Sequence, residues 1–540
     1  MNAEASPSPV FELKSHPSLV YGVTEAMAAD LDPDLPFDDR IVWGAMGVKL
    51  SNLDPHFLFM GATGSGKTTL LKLMMMSILT PSCDAYPLKH RALVYDPKPE
   101  FYTSLRAMGV PDERIILTNP FDARAVAWDI AADVRTSAHA DELAEALVPL
   151  HSEKEGSSTD RFWDAAAHQT CRGIIRGLQT HVPGRWDLRD LAVACTSSRV
   201  RDGLLAKTEF GRTVKAKFFG SKHRHSPGID AHLMTRVGWL LTIGDLWRHA
   251  QFRFSFRGWS RSAAVLMVSR FPDAPMAADR INHLLMRWAF TTILGLPEGG
   301  DMLHDFTWLI IDELTQAGRF PGFAEYMRMS RGKGARNVLL FQESGGMRTA
   351  FPKDEVSSII NQCGNKAVLA MNSYEECEHA SKLFAFHETQ STSTTYGRGN
   401  DVSYTTQPET QPVVTPDSIQ DLKSVRQLQG GVEGYFHTQI AGTFKQQLSS
   451  SQRTELLRDV DSACLYTVPG YTPRPPSQLE PLGMSKDDDE RLGIDSSADA
   501  SDEEPAAETP ELIDEAEPNE AVDASLWVRR QSSIDPLSLE

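Results

Sequence analysis

The sequence predicts an α/β fold built on a mostly parallel sheet, and three observations predict it. Short apolar runs alternate with helical spacing, one run enters a glycine-rich turn that opens a helix, and another ends on two adjacent carboxylates. Strands alternating with helices pair in parallel and gather their ligand-binding residues at the carboxyl ends.

The first strand, Phe57-Leu58-Phe59-Met60, leads into Gly61-Ala62-Thr63-Gly64-Ser65-Gly66-Lys67-Thr68 and the helix start Thr69-Leu70-Leu71-Lys72-Leu73. In that context G-x-x-x-x-G-K-[ST] is a phosphate loop, whose bare N–H groups wrap phosphates at the positive end of a helix dipole. Gly61, Gly64 and Gly66 allow the tight approach. Lys67 neutralises the β- and γ-phosphates, and the Thr68 hydroxyl completes a Mg²⁺ shell.

Arg91 to Asp96 reads as a second strand, ending in Asp96-Pro97-Lys98, and Arg114 to Leu117 as a third, leading into Asn119-Pro120-Phe121-Asp122. From about Ala131 to Gln251 helical spacing dominates, as in Phe162-Trp163 through Ile174-Ile175 and Leu178. Strands resume at Ala263 to Val268, Thr307 to Ile311, Asn337 to Phe341 and Ala367 to Ala370. The sheet is expected to be RecA-like.

The strand Thr307 to Ile311 runs into Asp312-Glu313. Asp312 is placed to hold Mg²⁺ through water and Glu313 to orient and polarise an attacking water, so hydrolysis is expected as well as binding. Gln342, at the end of the next strand, is placed to sense a γ-phosphate. Arg331, in Ser330-Arg331-Gly332-Lys333-Gly334, reads either as a finger reaching across a subunit interface or as an ordinary surface arginine.

The formal net charge of −18 is unevenly spread. Residues 484–540 hold 18 acids against 4 bases, a balance of −14, which leaves only −4 for the first 483 residues. The folded part can therefore bind nucleic acid through local basic patches. The best such stretch is 199–225, where Arg199, Arg201, Lys207, Arg212, Lys215, Lys217, Lys222 and Arg224 face only Asp202 and Glu209. It reads equally as a phosphate footprint and as a solvated helix face.

Six cysteines at 83, 171, 195, 363, 377 and 464 show no C-x-x-C spacing, so reduced thiols are expected and a zinc site is not. Met1 to Pro17 lacks the pattern of a signal peptide, and no apolar run approaches the roughly 20 residues that span a bilayer. A cytoplasmic location is expected, or a peripheral one at the inner membrane through partners.

The succession of the phosphate loop, Tyr95-Asp96-Pro97-Lys98-Pro99-Glu100-Phe101-Tyr102, Asn119 to Arg124 with Trp128-Asp129, Phe254 to Trp259, Ile311-Asp312-Glu313, Ser330 to Gly334 and Phe341-Gln342 resembles the TraD-like type IV coupling proteins over roughly residues 40–450. The resemblance implies a hexameric, ring-forming, ATP-driven and Mg²⁺-dependent DNA pump that links relaxosome DNA to type IV secretion membrane components in conjugation. It implies a RecA-like motor domain with an all-α domain, a trans-acting finger at Arg331 and a sensor at Gln342. Domains are expected at 1–40 (leader), 41–130 and 258–470 (motor), 131–257 (all-α insertion) and 471–540 (disordered acidic tail). Family members usually begin with a pair of transmembrane helices. Here the motor follows about 40 residues of another kind, so either a separate membrane protein anchors the chain or it is a soluble relative. A soluble FtsK/HerA-like DNA motor and a nucleotide-switched substrate receptor stay open as other readings.

Residues 390–411, rich in Ser, Thr and Gly, read as a flexible loop or an edge hairpin. Pro473, Pro475 and Pro476 mark the exit from the globular part, and the acidic segment ends in the apolar-basic Leu526-Trp527-Val528-Arg529-Arg530. That tip suits docking to relaxosome proteins or a merely solubilising tail.

Overall fold

Apolar residues of the central strands alternate between two faces of one sheet, and each face has its own core. Phe57, Phe59, Ala92, Val94, Trp308, Ile310, Val338 and Leu340 bury into one core, while Leu58, Met60, Leu93, Tyr95, Leu309, Ile311, Leu339 and Phe341 bury into the other. A strand covered on both faces reads as an unbroken apolar run, which is why these segments are conspicuous in the sequence. The computed structural model describes residues 18–21, 40–44, 46–49, 53–79, 89–150, 158–220, 226–271, 273–298, 305–396, 402–466 and 469–493. Most of the expected leader over 1–40, and the whole segment from 494 with Trp527, lie outside the described residues.

In chain order the strands are β1 (Ser18–Tyr21), β2 (Arg40–Trp43), β3 (Met46–Lys49), β4 (His56–Met60), β5 (Lys89–Asp96), β6 (Ile115–Leu117), β7 (Ala127–Trp128) and β8 (Arg253–Phe254). They continue with β9 (Val265–Ser269), β10 (Asp305–Ile311), β11 (Ala335–Phe341), β12 (Asn365–Leu369), β13 (Phe386–Tyr396), β14 (Val402–Pro412), β15 (Val432–Thr438) and β16 (Gly442–Leu448). The main sheet has ten strands in the order β1-β16-β15-β12-β4-β11-β10-β5-β9-β6. From β12 to β6 every neighbouring pair is parallel. The other edge, β12 to β15 to β16 to β1, is antiparallel. The Ser/Thr-rich segment is a hairpin: Phe386 of β13 pairs with Pro412 of β14, and Tyr396 with Val402.

The helical segment leaves the sheet after β7 and returns at β8, and these two short strands pair in parallel. Asp133 pins the two crossings together, because its carboxylate accepts from Trp128 Nε1 at 2.7 Å and from the Phe256 N–H at 2.8 Å. Between the crossings lie helices that include Ser137–Leu147, Ser158–His181, Leu188–Thr196, Ser226–Val237 and Trp239–Arg248. Among the described residues no helix is long and apolar enough to cross a membrane.

Around and beyond the prolines expected to mark the end of the folded part, residues 469–493 form a strap with defined contacts. The Tyr471 hydroxyl donates to Phe121 O at 3.1 Å, and Arg474 Nε to Pro120 O at 2.6 Å. Farther on, the Leu482 N–H donates to Asp245 at 3.2 Å, and the helix Lys486–Leu492 is closed by a capping box between Ser485 and Asp488. Asp488 is only 4 % exposed. It accepts from Arg248 and Arg491, each at 2.7 Å, and from Arg189 at 3.2 Å. The first part of the acidic segment therefore folds because its carboxylates meet arginines that are distant in sequence, a match that composition does not reveal.

Burial works to raise the Asp488 pKa, but the Ser485 N–H and the Arg248 guanidinium hold the carboxyl well below its usual range. A depressed folded-state pKa stabilises fully above the unfolded value of about 4 and is lost only as pH falls below it. The strap should accordingly resist protease equally at pH 8 and pH 5. Asp488→Ala removes a buried acceptor shared by three arginines, although Arg189 keeps Asp245 and Arg248 and Arg491 keep Asp190, and should cost on the order of 1–3 kcal/mol in chemical denaturation. Cleavage within 469–493 should appear with it, and wild-type resistance would show that this carboxylate does not hold the strap.

Candidate nucleotide site

Strand β4 delivers the chain to the glycine-rich turn, and the helix Lys67–Leu79 begins at its last two residues. Two glycines are required by shape. Gly66 has φ +103°, and a Cβ there would lie 2.6 Å from a Val432 methyl; at Gly61 a Cβ would lie 2.7 Å from Ser65 Oγ and 2.9 Å from Leu369 Cβ. The turn is tied into the sheet, since the Ala62 N–H donates to Ala370 O at 2.9 Å and the Val425 N–H to Gly64 O at 3.2 Å.

Lys67 is 8 % exposed. Its ammonium donates to Gly61 O at 2.5 Å and Ala62 O at 3.1 Å. Burial lowers its pKa, while Glu313 and Asp312 work to keep it charged. Ser65 Oγ is buried within the turn with no hydrogen-bond partner. A bound phosphate would meet an ammonium, an unused hydroxyl and a backbone that no side chain blocks.

The carboxylate strand reaches the same place. The Thr68 hydroxyl donates to Asp312 Oδ1 at 3.3 Å, and the Thr63 hydroxyl to Gln342 Oε1 at 2.7 Å. The turn therefore touches the ends of both β10 and β11. Asp312 is 8 % and Glu313 4 % exposed. Burial raises the Asp312 pKa, opposed by Lys98 and the Thr68 hydroxyl. The Thr315 hydroxyl donates to the Glu313 carboxylate and fixes its direction. Asp96, at the end of β5 beside β10, is pushed up to about 6 by burial, against hydrogen bonds from the N–H groups of Phe101 and Lys98. A hydroxyl and a carboxylate in contact are the hard oxygen donors that suit Mg²⁺, which usually takes one or two protein ligands and completes its octahedron with water and phosphate oxygens.

Arg331 lies elsewhere. It sits on the 3₁₀ turn Ser330–Lys333 that precedes β11, whereas Gln342 follows that strand. Seven residues of strand separate the two by roughly 23 Å. Arg331 instead lines a cavity of about 480 Å³ with Asp54, His56, Arg328, Gln362 and Gln439, at the opposite end of the sheet from the phosphate loop.

The basic stretch is only partly available. Arg199, Arg212 and Lys217 are exposed and Lys215 is half-buried. Lys215 also pairs with Asp202 at 3.5 Å. Arg201 does not serve as a phosphate contact: it is 4 % exposed, pairs with Asp202 at 2.9 Å and with Asp230, and lies over the Phe219 ring at 3.8 Å. Its charge is already compensated, which a count of basic residues does not register. Lys222 and Arg224 fall outside the described residues.

Sequence reading had no signal for Thr63, Thr315 or Val425, whose parts in the site arise from tertiary contacts. Asp96 and Lys98 were conspicuous as a strand-ending Asp-Pro-Lys, but their place beside Asp312 comes only from the β5–β10 register.

Comparisons with known proteins agree with this architecture. The family model for the type IV secretion-system coupling protein DNA-binding domain matches residues 40–440. The coupling protein TraD of Escherichia coli (strain K12) is 22 % identical over 380 residues, covering 68 % of this chain and 49 % of TraD. The chain thus spans about half the length of the curated relative it matches. The plasmid coupling protein TrwB in complex with a non-hydrolysable ATP analogue, ADPNP, superposes with a TM-score of 0.59 at 17 % identity, covering 88 % of this chain and 100 % of that one. TrwB in complex with ADP and Mg²⁺ gives 0.56 at 19 % identity, covering 76 % and 88 %. The shared architecture is the RecA-like P-loop fold.

The geometry of the turn yields a direct test. Gly66→Ala forces a side chain into a left-handed backbone and against Val432, at a cost of about 1–3 kcal/mol for the backbone alone. Titration calorimetry should show nucleotide binding lost in that variant. Wild-type affinity would mean that the turn does not need its observed shape.

Proposed function

The chain belongs to the type IV secretion-system coupling proteins, and on that premise we propose that it is an ATP-driven DNA translocase that passes relaxosome DNA to a secretion channel. The observation that carries this reading is the contact of Thr68 with Asp312, with Glu313 next in the chain. It brings a phosphate loop and a water-orienting carboxylate into one site, the pairing that hydrolysis needs.

Lys67 compensates the phosphate charge, and Thr68 directly and Asp312 through water would hold Mg²⁺. Mg²⁺, when bound, neutralises charge across the phosphate oxygens as a Lewis acid. Glu313, aimed by Thr315, accepts the proton of the attacking water. Gln342 reads the state of the turn through Thr63. Arg331, at the far end of β11, completes the site of a neighbouring copy, which supports a ring of the hexameric kind. Arg199, Lys207, Arg212 and Lys217 are exposed along the basic stretch and are assigned to DNA phosphates in this reading. Docking to relaxosome proteins through the acidic segment, and to secretion membrane components, belongs to the same reading.

ATP turnover by the purified chain should rise with single- or double-stranded DNA, and no response to either would sink the motor. Lys67→Ala should abolish nucleotide binding. Glu313→Gln should keep binding and stall turnover, and a wild-type rate in it would remove Glu313 from the chemistry. Arg331→Ala should bind ATP normally and lose on the order of 10³-fold in turnover. Mixed with Lys67→Ala chains, it should regain activity, because an intact Lys67 site can then meet an intact Arg331; proven mixed assemblies without rescue would exclude the trans role.

A further inference from the structure

We propose that Lys98 is a second phosphate-binding cation of the site, engaging the terminal phosphate of a nucleoside triphosphate from the side opposite Lys67. The inference rests on the reading of residues 61–68 as a nucleotide loop and adds to it a ligand that no motif assigns.

Register places Lys98. Ile311 of β10 is directly beside Tyr95 of β5, so the next residues, Asp312 and Asp96, leave the sheet side by side. The phosphate loop follows β4, two strands away from β10 on the other side, with β11 between. The carboxylate pair thus stands between the turn that carries Lys67 and the turn that carries Lys98.

The turn carrying Lys98 is fixed. Asp96 is 1 % exposed. Its carboxylate accepts from the Lys98 N–H at 3.2 Å and the Phe101 N–H at 2.8 Å, and its carbonyl oxygen accepts from the Arg270 N–H at 3.3 Å. A buried carboxylate with two backbone donors sets the path of residues 96–101 and leaves the Lys98 side chain exposed above it. The ammonium forms no hydrogen bond or ion pair with the described residues, so its donors are available to a ligand.

Charge supplies the reason for a cation at this point. Lys98 is near enough to Asp312 for its charge to favour the carboxylate, against Glu313 and Glu100. The same ammonium also acts on Lys67. A triphosphate entering among Asp312, Glu313 and Glu100 meets repulsion on its open side, and Lys98 is positioned to offset it. Arg331 cannot do so within one chain, because it lies at the other end of β11. A lysine suits the task, since a compact ammonium on a flexible stem follows a phosphate that is present in the triphosphate and absent from the diphosphate.

The test compares affinities of the full chain for ADPNP and for ADP, by titration calorimetry, in wild type, Lys98→Ala, Lys98→Arg and Lys67→Ala. Loss of one charge-assisted contact should weaken ADPNP about tenfold or more in Lys98→Ala, leave ADP within about twofold, and be largely restored in Lys98→Arg. Because Lys98 is exposed, the variant should melt like wild type. Equal weakening of both nucleotides, or no change in either, overturns the inference while the Lys67→Ala control still loses binding. Absence of nucleotide binding by wild type overturns the phosphate-loop reading itself.

Discussion

The contact of Thr68 with Asp312 joins residues 244 apart, and the site exists only while the parallel register of β4, β11 and β10 holds. A one-residue slip would turn every side chain to the other face and carry Asp312 away from the turn. Apolar packing on both faces resists sliding only weakly, since one buried aliphatic residue replaces another at modest cost. Buried polar groups at the opposite ends of the strands are less forgiving. Asn337 bonds His56 at 3.1 Å and accepts from the Tyr326 hydroxyl at 3.0 Å, and Asn365 donates to Asp54 O at 2.7 Å. Burial holds His56 down at about 4, so its ring is neutral and Nδ1 can accept from Asn337. Each bond is satisfied in one register only, and a buried amide without a partner costs on the order of 1–3 kcal/mol.

This division of labour explains what could be read in advance. The seven strands covered on both faces announce themselves as apolar runs, and the glycines and paired acids at their ends mark where chemistry gathers. The antiparallel edge is quieter. In β16 the buried Phe444 and Leu448 alternate with Lys445 and the exposed Gln447, a weak pattern without flanking glycine or proline of unusual density. The strap was misleading for a different reason: Lys486-Asp487-Asp488-Asp489-Glu490-Arg491 has the composition of a solvated run, and only the folded positions of Arg189 and Arg248 turn Asp488 into a buried partner. Arg201 shows the converse, a residue that raised the apparent basicity of its stretch while its charge is spent on Asp202 and Asp230.

Strand β11 carries the longest consequence. One end is pinned through Asn337 to the layer that supports Ser330 and Arg331, and the other delivers Gln342 to Thr63 in the phosphate turn. A strand buried on every residue but one cannot bend independently at its two ends. Under the proposed function, a change in the turn that draws on Gln342 would reach the Arg331 turn along this strand. Since Arg331 lies at the other end of β11 from its own phosphate loop, that link would matter under the proposed function only where a second copy presents a phosphate loop to Arg331. The coupling between sites that a ring motor requires then needs no separate relay: under the proposed function it is built into the strand that separates the two halves of each site.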